Sequence, residues 1–375
     1  MNNLKKEAMQ EEIIDKCYEQ SIMVLKKCST SHGLFASAGK KGYNAVWARD
    51  SMISMIGASS IPEFKKTFKQ SLITLTKSQS KNGQIPNCVD KWSERKPHVD
   101  FQSIDSTLWY IIGHYNYMKA YKDASLFNKY KENIKKALNW LSCQDSGEIE
   151  MLTQQPTSDW QDAFPHRYGH TINTQALYYK LLILTKENIK AKKLKKNSNY
   201  DDDKKLWDEN FYVSYRWKNH GKYKEIGNWF DSLGNLLAII FNLADKEQSE
   251  KILRFIEENK IAYPSPIKCI YPPIKPNSKY WKDYYFDCES GIPNNYSNGG
   301  IWGYVGCFYV LALIKLKKFK QAEEQLKKIA EINLKNNFPE WVHPVSKKAY
   351  GEMQAWEAGA YILAYFSLKN KKIII

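Results

Sequence analysis

Two kinds of helix alternate along this chain, and the alternation limits what it can fold into more than any other feature. One kind is amphipathic and lysine-rich, over 4–27, 62–79, 124–142, 246–259 and 319–335, with apolar residues at helical spacing on one face. The other is apolar nearly all round, over 50–58, 105–121, 170–185, 229–244, 300–316 and 353–368. A helix of the second kind has no wet face and has to be enclosed by others. With a weaker outer helix over 186–209, interrupted by the polar run Asn197-Ser-Asn-Tyr-Asp-Asp-Asp, six outer and six inner helices follow in strict order. The inner helices start every 50–75 residues, so the repeating unit is one helical hairpin. The pattern predicts an all-α chain, an (α/α)6 toroid of alternating inner and outer helices, forming a single domain over 1–375. Strand signals are sparse. The segment 211–226 predicts a short hairpin around Asn219, His220 and Gly221, and the proline-rich stretch 263–299 predicts a long loop of the kind that tends to carry function.

Composition narrows the partners. The formal charge of +16 raises nucleic acid or an anionic membrane, but of 56 cationic residues only Arg49, Arg95, Arg167, Arg216 and Arg254 are arginine. Bidentate reading of phosphate or guanine favours arginine. The lysines fall in runs such as Lys190–Lys196 and Lys315–Lys328, which read as a solvated exterior. No nucleic-acid partner is expected. Seven scattered cysteines without a Cys-x-x-Cys pair fit a reducing compartment, the amino terminus lacks the apolar core of a signal peptide, and no apolar run reaches the length of a membrane span. A cytoplasmic protein with no membrane partner is expected.

Each connection leading into an inner helix has the same polar and aromatic character. They are GYNAVWARD (42–50), PHVDFQSIDS (97–106), TSDWQDAFPHRYG (157–169), EIGNWFDS (225–232), NNYSNGGIWG (294–303) and FPEWVHPVSKKAYGEMQAW (338–356). In a ring of helical hairpins these all lie at one mouth, where they build one cavity lined by aromatics and carboxylates. The sequence holds no Gly-x-Ser-x-Gly, no phosphate-binding loop and no dinucleotide fingerprint, so no cofactor is expected. His166 and His170 stand four apart, but no further ligand is spaced for zinc, so no metal is expected either. Gly299, Gly300, Gly303 and Gly306 at a helix start read as close helix contact.

What remains at the mouth is carboxylates: Asp50, Asp100, Asp105, Asp159, Asp162, Asp231, Glu340 and Glu357. Glycoside hydrolysis needs two, one protonated toward the leaving oxygen and one ionised toward water or the anomeric carbon. A neighbouring tryptophan desolvates a carboxyl and raises its pKa, and Asp159-Trp160-Gln161-Asp162 and Pro339-Glu340-Trp341 both have this form. A single such aspartate also serves as a plain helix N-cap. Eight of the twelve tryptophans, Trp47, Trp92, Trp160, Trp229, Trp281, Trp302, Trp341 and Trp356, lie in or beside these loops, where flat faces can stack on sugar rings or pack inward as core.

The ordered series Trp47-Ala-Arg-Asp50, Ile104-Asp-Ser-Thr-Leu-Trp109, Asp159-Trp-Gln-Asp162 with Arg167-Tyr-Gly169 and Asn173-Thr-Gln-Ala-Leu-Tyr178, Phe230-Asp-Ser-Leu-Gly-Asn, Asn298-Gly-Gly-Ile-Trp302, Glu340-Trp341 and Gln354-Ala-Trp-Glu-Ala-Gly359 resembles the six-hairpin glycosidases. Alkaline/neutral invertases and the amylo-α-1,6-glucosidase domain of glycogen debranching enzyme look nearest, with glucoamylase more distant. The resemblance runs from about residue 43 to 368. It implies an inverting, exo-acting hydrolase of a terminal α-glucosidic bond, with Asp162 as general acid and Glu340 as general base. It further implies a substrate-side shell of Trp47, Arg49, Asp50, Asp105, Trp160, Arg167, Gln175, Asn298, Trp302, Trp341, Gln354 and Trp356. In inverting geometry the two catalytic carboxyls stand roughly 6.5–9.5 Å apart with a water between them. Invertases carry a double arginine directly after the acid, whereas Ala163-Phe-Pro-His follows Asp162 here, and the extra amino-terminal β-domain usual in debranching enzymes is not expected. The expected partner is therefore a disaccharide or short α-glucoside. Two other classes compete with this reading: a catalytically silent carbohydrate-binding toroid, which would keep the tryptophans and lose a carboxylate, and a basic scaffold for nucleic acid.

Overall fold

The structure is a computed structural model that describes residues 2–39, 42–92, 98–217, 225–263, 266–287 and 291–375, with residues 2–10 described for backbone only. Its helices are α1 (Asn2–Cys28), α2 (Ala48–Gly57), α3 (Lys65–Lys77), α4 (Asp105–Tyr121), α5 (Ser125–Lys129), α6 (Lys131–Ser142), α7 (Ile172–Leu184), α8 (Asn188–Asn199), α9 (Ser232–Phe241), α10 (Lys246–Glu258), α11 (Gly303–Lys315), α12 (Phe319–Asn336) and α13 (Ala355–Lys369). The all-round apolar segments are α2, α4, α7, α9, α11 and α13. Every residue of α2 and α9 is buried. Each of these six packs on the next along the chain, and α13 packs back on α2. The amphipathic helices lie against them: α3 on α2 and α4, α8 on α7, α10 on α9, α12 on α11 and α13, and α1 on α12 and α13. The apolar stripe of each amphipathic helix is thus spent on the inner set, while its lysines stay wet.

Local chemistry sets several helix starts. Asp245 and Gln248 form a reciprocal capping box at α10. Thr171 caps α7, and Asp231 caps α9 by accepting from the Gly234 amide. Two outer-helix expectations are corrected. The segment 124–142 breaks at Tyr130 into α5 and α6, and 186–209 is helical only to Asn199, beyond which the polar Asp201–Asp203 run forms turns. Asp201 accepts there from the Asp203 amide and pairs with Lys204, local bonds that compete with helix.

The all-α expectation is also corrected, because short strands stitch the mouth together. Val46–Trp47 pairs with Cys88–Asp90, which pairs with His98–Asp100. His170–Thr171 pairs with Phe211–Trp217, which pairs with Glu225–Asp231, whose end pairs with Ile270–Tyr271. Trp341–Val342 pairs with Ala349–Tyr350. Single bridges join these pieces: Gln154 to Gly169, Lys268 to Ile301, Ile301 to Val342, and Ser37 to Gln354. The Ile104 amide donates to the Ser158 carbonyl and the Ala36 amide to the Ala45 carbonyl, so backbone hydrogen bonds run around the mouth from each connection to the next. The hairpin expected over 211–226 is present, with its second strand reaching Asp231, and its turn at Asn219, His220 and Gly221 lies outside the described residues. Arg95 and Cys288 lie outside them as well. No described helix is long and apolar enough to cross a membrane.

Candidate active site

The belt of short strands surrounds a cavity of about 230 Å3 lined by Tyr43, Trp47, Arg49, Asp50, Trp160, Asp162, Tyr296, Glu340, Gln354 and Trp356. Four connections supply these residues directly, and the other two act through buried ion pairs. Arg49, at the start of α2, donates to both oxygens of Asp105 at 3.1 and 3.2 Å and lies 3.7 Å from Asp162. Ser103 donates to Asp105 as well. The guanidinium also sits 5.9 Å over the Trp356 ring, which stacks on Tyr304 at 4.3 Å. Arg49 is thereby fixed in orientation with one edge toward Asp162.

A second buried arginine shapes the loop that bears Asp162. Arg167 pairs with Asp159 at 2.6 Å and also with Asp231, the cap of α9, and all three side chains are fully buried. Asp159 further accepts from the Gln161 amide and the Gln154 side chain. The Asp159–Arg167 pair closes the loop at its base, and Asp162 projects between them into the cavity with 38% of its side-chain surface open.

Glu340 is reached differently. Helix α12 ends in a left-handed Asn337, followed by a left-handed Phe338, and these two turns swing the chain so that Glu340 enters the cavity just before Trp341 pairs with Tyr350. Positive φ at a bulky residue such as Phe338 is strained, and strain of this kind clusters at functional sites. The hydroxyls of Tyr43 and Tyr296 both donate to Oε1 of Glu340, at 3.3 and 3.2 Å.

Three carboxyls thus share one recess, and each is pushed toward neutrality. Desolvation raises Asp162 to about 6, with Asp105 and Asp50 adding to it against the pull of Arg49. Asp50 also rises to about 6, chiefly through burial. Glu340 rises to about 7, again chiefly through desolvation, with Asp50 and Asp162 pushing and the two tyrosine hydrogen bonds pulling it back. Around neutral pH the recess therefore holds protons and negative charge together, the condition for acid and base chemistry in one place.

The sequence profile of the amylo-alpha-1,6-glucosidase family matches residues 19–364, from α1 to α13. The chain belongs to that family. Among curated relatives, alkaline/neutral invertase E, chloroplastic, of Arabidopsis thaliana is 24% identical over 325 residues, covering 71% of this chain and 52% of the relative. Neutral/alkaline invertase 1, mitochondrial, of Oryza sativa subsp. japonica is 32% identical over 141 residues, 36% of this chain and 22% of the relative. The chain spans about half, or less, of the length of these relatives. Among solved structures, the GH63 mannosylglycerate hydrolase of Thermus thermophilus in complex with Tris and D-glycerate aligns with a TM-score of 0.66 at 12% identity, covering 94% of this chain and all of that one. The rhamnosidase of Klebsiella oxytoca with rhamnose bound aligns at 0.65 and 14% identity, covering 96% of this chain and 64% of that one. These two similarities concern the fold.

Of the site residues expected in this amylo-alpha-1,6-glucosidase family member, Trp47, Arg49, Asp50, Trp160, Asp162, Glu340, Gln354 and Trp356 line the cavity. The others stand behind it. Asp105 holds Arg49, and Arg167 is spent between Asp159 and Asp231 with no face toward the cavity. The Gln175 side chain bonds both backbone groups of Leu152. Asn298 ties the long loop together by bonding both backbone groups of Ile274 and the Gly291 carbonyl. Trp302 packs edge-on against Trp160 and Trp356, and Trp341 stacks on Tyr350 at 4.2 Å. These six serve as supports to the lining residues. His166 meets the Tyr284 hydroxyl and His170 the Leu152 carbonyl, so the two histidines do not converge. Among the described residues no three His, Cys, Asp or Glu groups are placed to hold a metal ion. Tyr43 and Tyr296, the two lining residues absent from the expected set, sit within the connections that sequence reading marks. A tyrosine beside an asparagine in each loop is their only signal.

Proposed function

We propose that this chain is an inverting, exo-acting glycoside hydrolase of terminal α-glucosidic bonds, working from a single (α/α)6 toroid domain. The observation that carries the reading is the shared recess: Asp162 and Glu340 on two different loops, both pushed near neutrality, in a cavity walled by three tryptophans and small enough for one terminal ring. Asp162 acts as general acid, giving its proton to the glycosidic oxygen as the bond from the anomeric carbon breaks. Glu340 acts as general base, taking a proton from the water that attacks the opposite face of the ring. With Tyr43 and Tyr296 both on Oε1, Oε2 is left to receive that proton. Arg49 and Asp50 orient the hydroxyls of the bound ring, while Trp47, Trp160 and Trp356 offer flat faces to its C–H groups. Because the three carboxyls interact, the proton belongs to the cluster; Glu340 holds it more tightly than Asp162, so the active form, protonated at Asp162 and ionised at Glu340, is the minor arrangement of that proton.

A disaccharide or short α-glucoside is the proposed substrate, with sucrose and an α-1,6-linked oligosaccharide as candidates. The family match supports the second and the curated relatives the first. No cofactor or nucleic acid enters the reading, and the scattered cysteines support a cytoplasmic setting. The test is sugar release from sucrose, trehalose, maltose, isomaltose and limit dextrin, with the product anomer followed by NMR. An α-glucoside should release β-glucose first. Release of the α-anomer would overturn the inverting mechanism, and no release from any substrate would leave a carbohydrate-binding protein.

A further inference from the structure

The loop that carries Asp162 into the catalytic cavity carries His166 and Tyr168 into another one. This second cavity measures about 350 Å3 and shares no lining residue with the first. The long strand pair supplies Tyr215 and Trp229, and the segment 266–287 supplies Tyr280, Tyr284 and Tyr285. The rings form a connected wall: Tyr168 lies 5.1 Å from Tyr215, Tyr215 5.5 Å from Trp229, and Trp229 5.1 Å from Tyr280. Glycine at 227 is required for this approach, because a Cβ there would stand 2.4 Å from the Tyr215 ring and 2.8 Å from Trp229. Across the space, the His166 ring nitrogen Nδ1 and the Tyr284 hydroxyl are hydrogen-bonded at 2.9 Å. Core aromatics close on one another, whereas here Tyr284 is left 54% exposed around open volume.

The charges beside these rings narrow the ligand. Glu225, Lys279 and Lys282 also line the cavity, so both signs are present. An apolar ligand would strip water from all three without offering a hydrogen bond. An anion would face Glu225, and a cation the two lysines. A neutral polyol meets every requirement at once, with C–H faces for the rings and hydroxyls that both donate to the carboxylate and accept from the ammonium groups. We propose that this is a second saccharide-binding cavity, which takes rings of a neutral oligosaccharide independently of the catalytic recess. The choice of sugar rests on the glycosidase reading, whereas the cavity and its lining do not.

The experiment is isothermal titration of the full chain carrying Asp162→Asn, which leaves the sugar intact, with maltotriose and with isomaltotriose. At least one of the two should occupy two sites per chain. Adding Tyr280→Ala and Tyr284→Ala should weaken one site by roughly tenfold or more, the loss of about 1.4 kcal/mol of stacking, and leave the other unchanged. Tyr284→Ala alone, at an exposed ring, should weaken the same site to a lesser degree and guards against misfolding of the double variant. With Asp162 intact, the tyrosine variants should hydrolyse a small chromogenic glucoside within about twofold of wild type. Absence of binding, or one site or two sites indifferent to the tyrosines, would overturn the proposal. An unmodified chain that fails to hydrolyse any glucoside while the tyrosine-sensitive site persists would overturn the glycosidase reading alone.

Discussion

Glu357 should make the protein less stable as pH rises, and its replacement by glutamine should remove that dependence. The residue follows Trp356 on α13, but its side chain points away from the cavity lined by Asp162 and Glu340 into fully buried space. Neither carboxyl oxygen has a hydrogen-bond partner of good geometry, although the Tyr304 amide and the Asn333 side chain stand near enough to favour its charge. The first turn of α11 makes room only because residue 303 is glycine, since a Cβ there would lie 2.0 Å from Oε1. Desolvation dominates and raises the group from 4.5 to about 8. The folded chain therefore keeps a proton that the unfolded chain has released, over the window from about 4.5 to about 8. Stability is highest below that window and falls as pH rises through it. At pH 7 the penalty is roughly 2.5 pH units at 1.36 kcal/mol each, or about 3 kcal/mol. Glu357→Gln keeps the shape and cannot ionise. An unpaired buried amide costs about 1–3 kcal/mol by itself, so the absolute stability of the variant is a poor test. The difference between variant and wild type across pH is a good one, because every other group titrates alike in both. Urea unfolding at pH 5 and pH 8 should show the variant gaining about 3 kcal/mol on wild type between the two conditions. A difference that stays constant with pH would mean that Glu357 is ionised in the fold, and the account of its burial would be wrong.

Four further outcomes bear on the recess. Asp162→Asn and Glu340→Gln should each lower hydrolysis by about 10²–10⁴-fold while leaving thermal unfolding near wild type, and near-native turnover in either would remove the role given to it. The pH profile of kcat/KM should be a narrow bell with limbs near 6 and 7, the macroscopic values of the pair, and a flat response from pH 5 to 8 would contradict it. Tyr296→Phe or Tyr43→Phe removes a hydrogen bond that holds the Glu340 pKa down, so Glu340 holds the shared proton still more tightly and the active arrangement becomes rarer. The upper limb should then shift to higher pH and activity should fall more at pH 6 than at pH 8, whereas an unmoved limb would show that the hydroxyls do not reach the base. Arg167→Met strands Asp159 and Asp231 in fully buried positions and should cost about 3–5 kcal/mol in urea unfolding, while a loss below about 1 kcal/mol would show that the pair is compensated elsewhere.

What sequence could and could not show follows from the range of each interaction. Burial on all faces is written into a helix such as Leu233–Phe241, where apolar residues leave no polar stripe, so the inner helices were legible one at a time. Helix ends were less so. The expected helix over 229–244 begins at Ser232, because Glu225–Asp231 is taken up as a strand between Phe211–Trp217 and Ile270–Tyr271, and nothing within the segment announces partners so distant in sequence. The carboxylates of the recess were legible for a similar reason to the helices: an acid beside a tryptophan at the entrance to an apolar helix is costly wherever it stands. What the sequence could not show was how the two arginines divide the work. Arg49 and Arg167 each lie within a tryptophan-bearing connection that also holds an aspartate, so both read as substrate ligands. Their difference is decided by a third residue in each case. Asp231 caps α9 and turns the second carboxylate onto Arg167, closing it off, whereas the second acid near Arg49 is Asp162, 3.7 Å away and open to the cavity. A charge balanced on both sides inside the protein is a brace, and one balanced on a single side with an open acid on the other is available to a substrate. That distinction depends on which connections meet across the mouth, and so it appears only once the ring of loops is closed.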